Sequence, residues 1–521
     1  MSTIDIRRAA QYATVAENAA AQCVIVADNL QANVEELTGQ ATDAAQQAVA
    51  SQAAAKASET ASKSSETSAS ASAASAAQSA AEAASSAAAT GYVAPPFPDV
   101  WAPLSDDLKM ISGYPVNNKL LSFTRASTAT YIDKSGVLQT APVNEARFEK
   151  QGLLIEGQAT NLVPNSASTS PTWKTANATA VSASIVSPDG TTNGVTRLAS
   201  SGGSNTQTGS AITVPVAGLA VGGYCSFSVF AKADSHNLIQ LRWAAGSTGV
   251  SSRYLNVDLS TGEVGSNTLF IAKTIPMNNG WWRIIAVTTI DGDLTGGSSA
   301  DPGVELISSL SDGRRPAVTL STGIGVYLYG PQLEAGTFTS YIPTSGSAVT
   351  RAADDCSAQR SGNDNYFGPV TIAAEVHCNG QTATDGATSS RRGILAAYPT
   401  TTEFIVLMVD STTATLGKYA FAYGSATFNY SDNRIDDGQV HTVCSRSTIS
   451  QNQSCVDGTL LTSPTSVSRP TPGTTSSVNQ LFYIGRGAGA TASGSRMLNG
   501  HIRNLRIWHR ALSDIQMKGI R

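Results

Sequence analysis

Charge is scarce in this chain: only 14% of its 521 residues are Asp, Glu, Lys or Arg, and the formal net charge is −4. The basic residues are scattered, so no patch forms of the kind that binds nucleic acid by releasing counterions. Nucleic acid is therefore excluded as an expected partner. Long apolar runs are absent as well, none approaching the roughly 20 residues of a membrane span. The opening Met1-Ser2-Thr3-Ile4-Asp5-Ile6-Arg7-Arg8 leads into an Ala- and Gln-rich stretch rather than an apolar signal core. The expectation is a chain neither exported by a signal peptide nor inserted into a membrane. The six cysteines, Cys23, Cys225, Cys356, Cys378, Cys444 and Cys455, include no C-x-x-C pair, which argues against a zinc knuckle or a disulfide framework. They read as reduced thiols, with Cys444 and Cys455 able to face each other across a hairpin.

What the chain has in quantity is Ala, Ser, Gly and Thr, which favours short strands, turns and low-complexity stretches over an α/β enzyme. The length suggests three or four segments of domain size. From about residue 41 to 90 Ala and Ser dominate, and Ser51, Ser58, Ser65, Ser72, Ser79 and Ser86 recur in step with Ala48, Ala55, Ala69, Ala76 and Ala83. Seven is the coiled-coil period. The same frame runs back through Leu37, Val34, Leu30, Ala27 and Cys23. It predicts an N-terminal helix over 1–40 and an Ala/Ser coiled-coil stalk over 41–90, loosened at Gly39. Such a seam buries little apolar area, so the stalk needs the globular domains to hold the chains together.

Pro95, Pro96, Pro98 and Pro103 stop the helical pattern and mark a hinge over 91–120. Beyond it come β-prone runs such as Tyr224–Phe230, Tyr254–Leu259, Trp281–Val287 and Gly325–Tyr329, separated by turn residues. The fold class expected is mainly β: the helical stalk followed by two antiparallel β-sandwich, or jelly-roll, domains.

The motif Gly152–Leu162, with a Trp173 segment, Gly330–Gly336, Ser340–Thr344 and Thr350–Asp354, resembles the carbohydrate-binding-like jelly-roll module of phage tail fibre and head-spike proteins. That resemblance spans 121–355. A second one spans 356–521: Val370–Val376, Gly438–Val443, Val456-Asp457-Gly458, Phe482–Arg486 and Leu498–Ser513 are similar, in that order, to the concanavalin A-like, laminin-G-like sandwiches. That family contains glycan binders and glycanases, and fold alone does not choose between them.

No E-x-D-x-x-E triplet of the glycanase kind is present, Glu375, Glu403 and Asp410 are isolated, and His441, His501 and His509 fall in framework positions. The expectation is no enzyme. Asp410, Asp432 and Asn433 are of the type that would hold a calcium ion, the sole cofactor considered. Trp282 and Trp508 read as core, whereas Trp243, Trp281, Arg486 and Arg496 read as surface contacts for carbohydrate. Taken with the resemblances, the chain reads as a homotrimeric tail fibre protein of the virion, assembled in the host bacterial cytoplasm. Its N-terminus would join other phage tail proteins, and its C-terminal domains would bind a host surface polysaccharide or lipopolysaccharide. The alternatives are an adaptor carrying another receptor-binding protein and a tailspike depolymerase or esterase.

Overall fold

The structure is a computed structural model. It describes residues 3–520 except 91–92, 113–119, 168–172, 213, 216–222, 244–252, 270, 291–298, 361–362, 364–367, 380–390, 398–404, 411–414, 424–426, 449, 463, 467–480 and 488–496. The chain divides into two compact units, Met1–Tyr92 and Val93–Arg521.

The first unit is one helix, Thr3–Thr90, of 88 residues. Alanine has the highest helix propensity, and serine and threonine are tolerated when their hydroxyls bond back to the carbonyl four residues earlier. Thr14, Thr38, Thr60, Ser65 and Ser72 all do so. The helix runs unbroken through Gly39, so the two segments separated in the sequence are one element. Its apolar residues, Ile4, Val15, Leu30, Val34 and Leu37 among them, stand more than half exposed in the single chain. No described helix is long and apolar enough to cross a membrane.

The second unit contains two sandwiches. In the first, a sheet ordered through Ala178–Ser182, Thr196–Ser200, Gly325–Ala335, Tyr224–Ala233, Trp281–Thr289 and Ile271–Pro276 packs on a second sheet. That partner runs Val264–Asn267, Tyr254–Asp258, Leu238–Trp243, Pro302–Leu306, Gly209–Ile212 and Trp173–Ala176. Side chains alternate across a strand, so Cys225, Phe227, Val229 and Ala231 enter the core between the sheets while Ser226, Ser228 and Phe230 face the other way.

The C-terminal sandwich has Asp355–Gln359, Leu481–Ile484, Arg391–Ala397, Ile405–Asp410, Lys418–Tyr423 and Asn429–Arg434 in one sheet. The facing sheet contains Gly500–Trp508, Val370–Asn379, Asp437–Ser447 and Gln451–Val456. Its membership differs from the sequence expectation. Val100–Ala102 and Gly152–Ile155 both pair with Gly500–Trp508, and Ser122–Thr124 pairs with Asp355–Gln359. Residues read as hinge, and as the opening of the first sandwich, are thus strands of the second. The crossing is close: Gly152 sits at φ 119°, and a Cβ there would lie 2.5 Å from the Ile502 carbonyl oxygen.

All six cysteines are free, and only Cys23 is exposed. Cys444 and Cys455 stand directly opposite on neighbouring strands, within a buried cluster with Trp508 and Met517.

Candidate functional site

The side chains chosen from sequence as sugar contacts are mostly framework. Trp243 alternates with Ile239 and Leu241 into the first core, is 0% exposed, and meets Phe227 edge-on at 6.3 Å. Trp281 is also 0% exposed, covered by Leu138, Val195 and Met277, and its Nε1 donates to the Val186 carbonyl at 2.9 Å. The sequence reading missed the segments that fold over the outer face of that sheet. Arg486 is not on a free loop either: it pairs with Asp355 at 2.9 Å and stacks on Tyr483 at 3.9 Å. Arg496 lies outside the described residues. Trp508 is core as expected, with Nε1 donating to the Pro96 carbonyl, while Trp282 is only partly buried.

The three candidate calcium ligands do not converge. Asp410 is fully buried and accepts from Thr415, whereas Asp432 and Asn433 are exposed on a strand two places away in the sheet, with Lys418–Tyr423 between. That spacing is about 10 Å. Among the described residues no group of three or more acidic, His or Cys side chains is arranged to hold a metal ion.

What the structure does bring together lies between the sandwiches: a cleft of about 620 Å³ lined by both. Its floor is the outer face of the C-terminal sheet. In Val370–Asn379, Val376 and Cys378 point into the core, so His377 must point out, and His501 lies directly opposite it on the neighbouring strand. The opposite wall is the edge strand Ile271–Pro276 with Arg283 behind it.

The two histidines form a chain. His377 Nε2 lies 3.1 Å from the Gly438 carbonyl oxygen, the two Nδ1 atoms lie 3.1 Å apart, and His501 Nε2 lies 2.9 Å from Glu149 Oε2. A carbonyl only accepts, so His377 donates through Nε2 and accepts at Nδ1 from His501, and His501 and Glu149 then share one proton. Glu149 Oε1 in turn accepts from the Ile132 amide at 2.7 Å. Both ends of the chain are backbone groups, and it ties four strands to the segment at Ile132. Burial, reinforced by His501 and Lys273, pushes His377 down to about 3, which keeps its ring neutral.

Behind the cleft is a dense ionic cluster. Arg147 reaches Glu156 at 2.8 Å and Asp354 at 2.6 Å, Arg125 reaches Asp354 at 3.1 Å, and Arg351 reaches Glu156 at 3.4 Å. Ser340 donates to Glu156 through both its amide and its hydroxyl. Burial opposes the charge on Glu156, yet Arg351 and Arg147 hold its carboxyl down at about 2. Glu156, Ser340, Arg351 and Asp354 come from the recognisable motifs at Gly152–Leu162, Ser340–Thr344 and Thr350–Asp354, and Arg125 and Arg147 join them from outside, so those motifs help to seal the joint from behind.

The mouth of the cleft is of another character. Lys150, Gln151, Asn278, Asn279 and Asn499 line it with Phe338, whose ring is partly exposed. Amides and an ammonium group suit a ligand rich in hydroxyls, and an exposed ring suits the apolar face of a sugar. No sequence signal singled out Phe338 or His377, because their meaning depends on two domains meeting.

Residues 352–517 match the family described as the concanavalin A-like lectin/glucanase superfamily, so this part of the chain is a lectin-like sandwich. Solved structures with similarity include domains LG4-5 of the mouse laminin alpha1 chain, at 16% identity, 60% of this chain, 92% of that chain and a TM-score of 0.19. A candidate carbohydrate-binding protein from Bacteroides ovatus shares 10% identity over 57% of this chain and 79% of its own, with a TM-score of 0.24. Trypanosoma rangeli sialidase shares 11% over 62% and 60%, with a TM-score of 0.25. No curated protein sequence matches the chain.

Proposed function

We propose that the chain is a tail fibre protein of a bacteriophage that attaches the virion to the host surface by binding a polysaccharide or lipopolysaccharide, without cleaving it. The observation that carries this reading is the lectin-like sandwich at residues 352–517, which shares with the preceding sandwich a cleft lined by amides, Lys150 and Phe338. The glycan lies in that cleft, its hydroxyls bonded to the amides and one sugar face on Phe338.

The 88-residue helix acts as attachment segment and spacer, about 130 Å long at 1.5 Å per residue. Its exposed Leu30, Val34 and Leu37 lie in one heptad frame with the Ala/Ser repeat, which supports association of three parallel chains. Trimerisation would raise a weak single-site affinity through effective concentration.

The test is full-length protein mixed with host cells and with their extracted surface polymer. The reading expects saturable binding, competition with phage adsorption, polymer that keeps its length and acetylation, and a trimer by sedimentation. Folded protein that neither coats cells nor competes would contradict it, and retention of another tail protein would then favour the adaptor.

A further inference from the structure

We propose that the first sandwich holds an oxyanion on its outer face, in a socket made by Arg242, Arg314 and Arg315. In the strand Leu238–Trp243 the residues Ile239, Leu241 and Trp243 enter the core, which puts Gln240 and Arg242 on the opposite face. A loop over 308–316 is pinned across that face. Gln240 Nε2 donates to the Gly313 carbonyl at 2.9 Å and its Oε1 accepts from the Arg315 amide at 2.7 Å. Asn256 Nδ2 donates to the carbonyls of Leu310 and Asp312. This pinning carries Arg314 and Arg315 to Arg242.

The side chain of Arg242 is 0% exposed, and its Nε donates to Glu305 at 2.7 Å. Its Nη1 and Nη2 make no hydrogen bond, and neither do the buried Nε atoms of Arg314 and Arg315. Glu305 is shared, since Arg315 Nε lies 3.4 Å from the same oxygen. Glu305 is the acid that all three guanidinium groups feel, and Asp301 acts on Arg242 from farther away.

A buried guanidinium with unmade hydrogen bonds is strongly destabilising, more so beside like charges. The unpartnered atoms are the two terminal nitrogens of one planar fork, the edge that fits a carboxylate or phosphate bidentately. The ligand class is therefore an oxyanion: the carboxylate of a sugar acid, or a phosphate group carried on a sugar. That the anion belongs to a host glycan rests on the attachment reading; the socket does not.

The experiment is thermal unfolding of the full-length protein at constant ionic strength with galacturonate, inorganic phosphate or neutral galactose. The socket predicts a rise of about 3 °C or more at saturation with at least one anion and none with galactose. A response to galacturonate alone identifies a sugar acid, and a response to phosphate alone a phosphorylated unit. Arg242→Met should abolish the shift and, without anion, be no less stable than the natural chain. Arg314→Ala, on the loop, should weaken anion binding about tenfold and serves if the first variant does not fold. No shift with either anion, which would leave Arg242 satisfied by water alone, overturns the proposal, as does an equal shift in both variants. Anion binding without binding to host cells would leave the socket standing and remove the attachment reading.

Discussion

The joint between the sandwiches has two sides, built on different principles. Behind it, Arg125, Arg147, Arg351, Glu156 and Asp354 are buried in direct contact, and both carboxylates are fully engaged. In front, the cleft is open and lined by amides, Phe338 and a histidine chain, with the charged side chains of Asp133, Lys134, Lys150 and Lys273 spread among them. The difference teaches that motif residues of the first sandwich supply much of the buried joint, while the cleft is also faced by residues outside any motif, such as Lys150, Asn278, Asn279, Phe338 and His377.

The largest effect expected from breaking the comparison is Asp354→Ala. It leaves Arg125 and Arg147 buried without their shared acid, at a cost of about 3–5 kcal/mol that denaturant unfolding would measure. A loss under about 1 kcal/mol would mean that the cluster is not what seals the joint.

Next comes acid sensitivity. The folded chain holds His377 at about 3 against an ordinary 6.5, so between those values the unfolded chain binds a proton that the folded chain refuses. Stability therefore falls as pH drops from 6.5. Glu156, lowered from 4.5 to about 2, adds its own loss only below pH 4.5. His441, raised by Asp457 and Asp437 against the opposing effect of burial, makes its full contribution below 6.5 and stays constant there. The loss between pH 6.5 and 4.5 therefore belongs to His377, roughly 2 kcal/mol. Glu334 offsets it in part: burial raises its carboxyl above the ordinary value, so the folded chain takes up that proton first. His377→Gln should flatten the melting temperature across that window, and an unchanged slope would detach the histidine chain from the joint.

A smaller effect on stability is expected from Arg351→Met. It removes the third positive charge of a cluster with two carboxylates, together with hydrogen bonds to the Gly157 and Ala352 carbonyls, for about 1–2 kcal/mol. It should also raise the Glu156 carboxyl from about 2, which carbon-detected NMR titration would follow.

Much of the architecture was legible in the sequence. The heptad frame and the prolines located the helix and its end, and strand alternation with turn residues located both sandwiches. Trp508 was read as core because it closes a recognisable strand. Membership of the sheets was not legible, since Val100–Ala102 and Gly152–Ile155 pair with a strand some 350–400 residues later. The tryptophans misled for a related reason: alternation says that Trp281 faces away from the core of its sandwich, but not that residues 138, 195 and 277 cover it there. The cleft escaped altogether, because His377 and His501 meet only through strand register and Phe338 lines the same cleft from the other domain.

The central claim, that the glycan sits in the joint, is tested most directly by Phe338→Ala in the full-length protein, titrated calorimetrically with host surface polysaccharide. The account predicts affinity lower by tenfold or more, about 1.4 kcal/mol, with the melting temperature nearly unchanged because the ring is only partly buried. Unchanged affinity in a folded variant would contradict it and move the glycan elsewhere on the molecule.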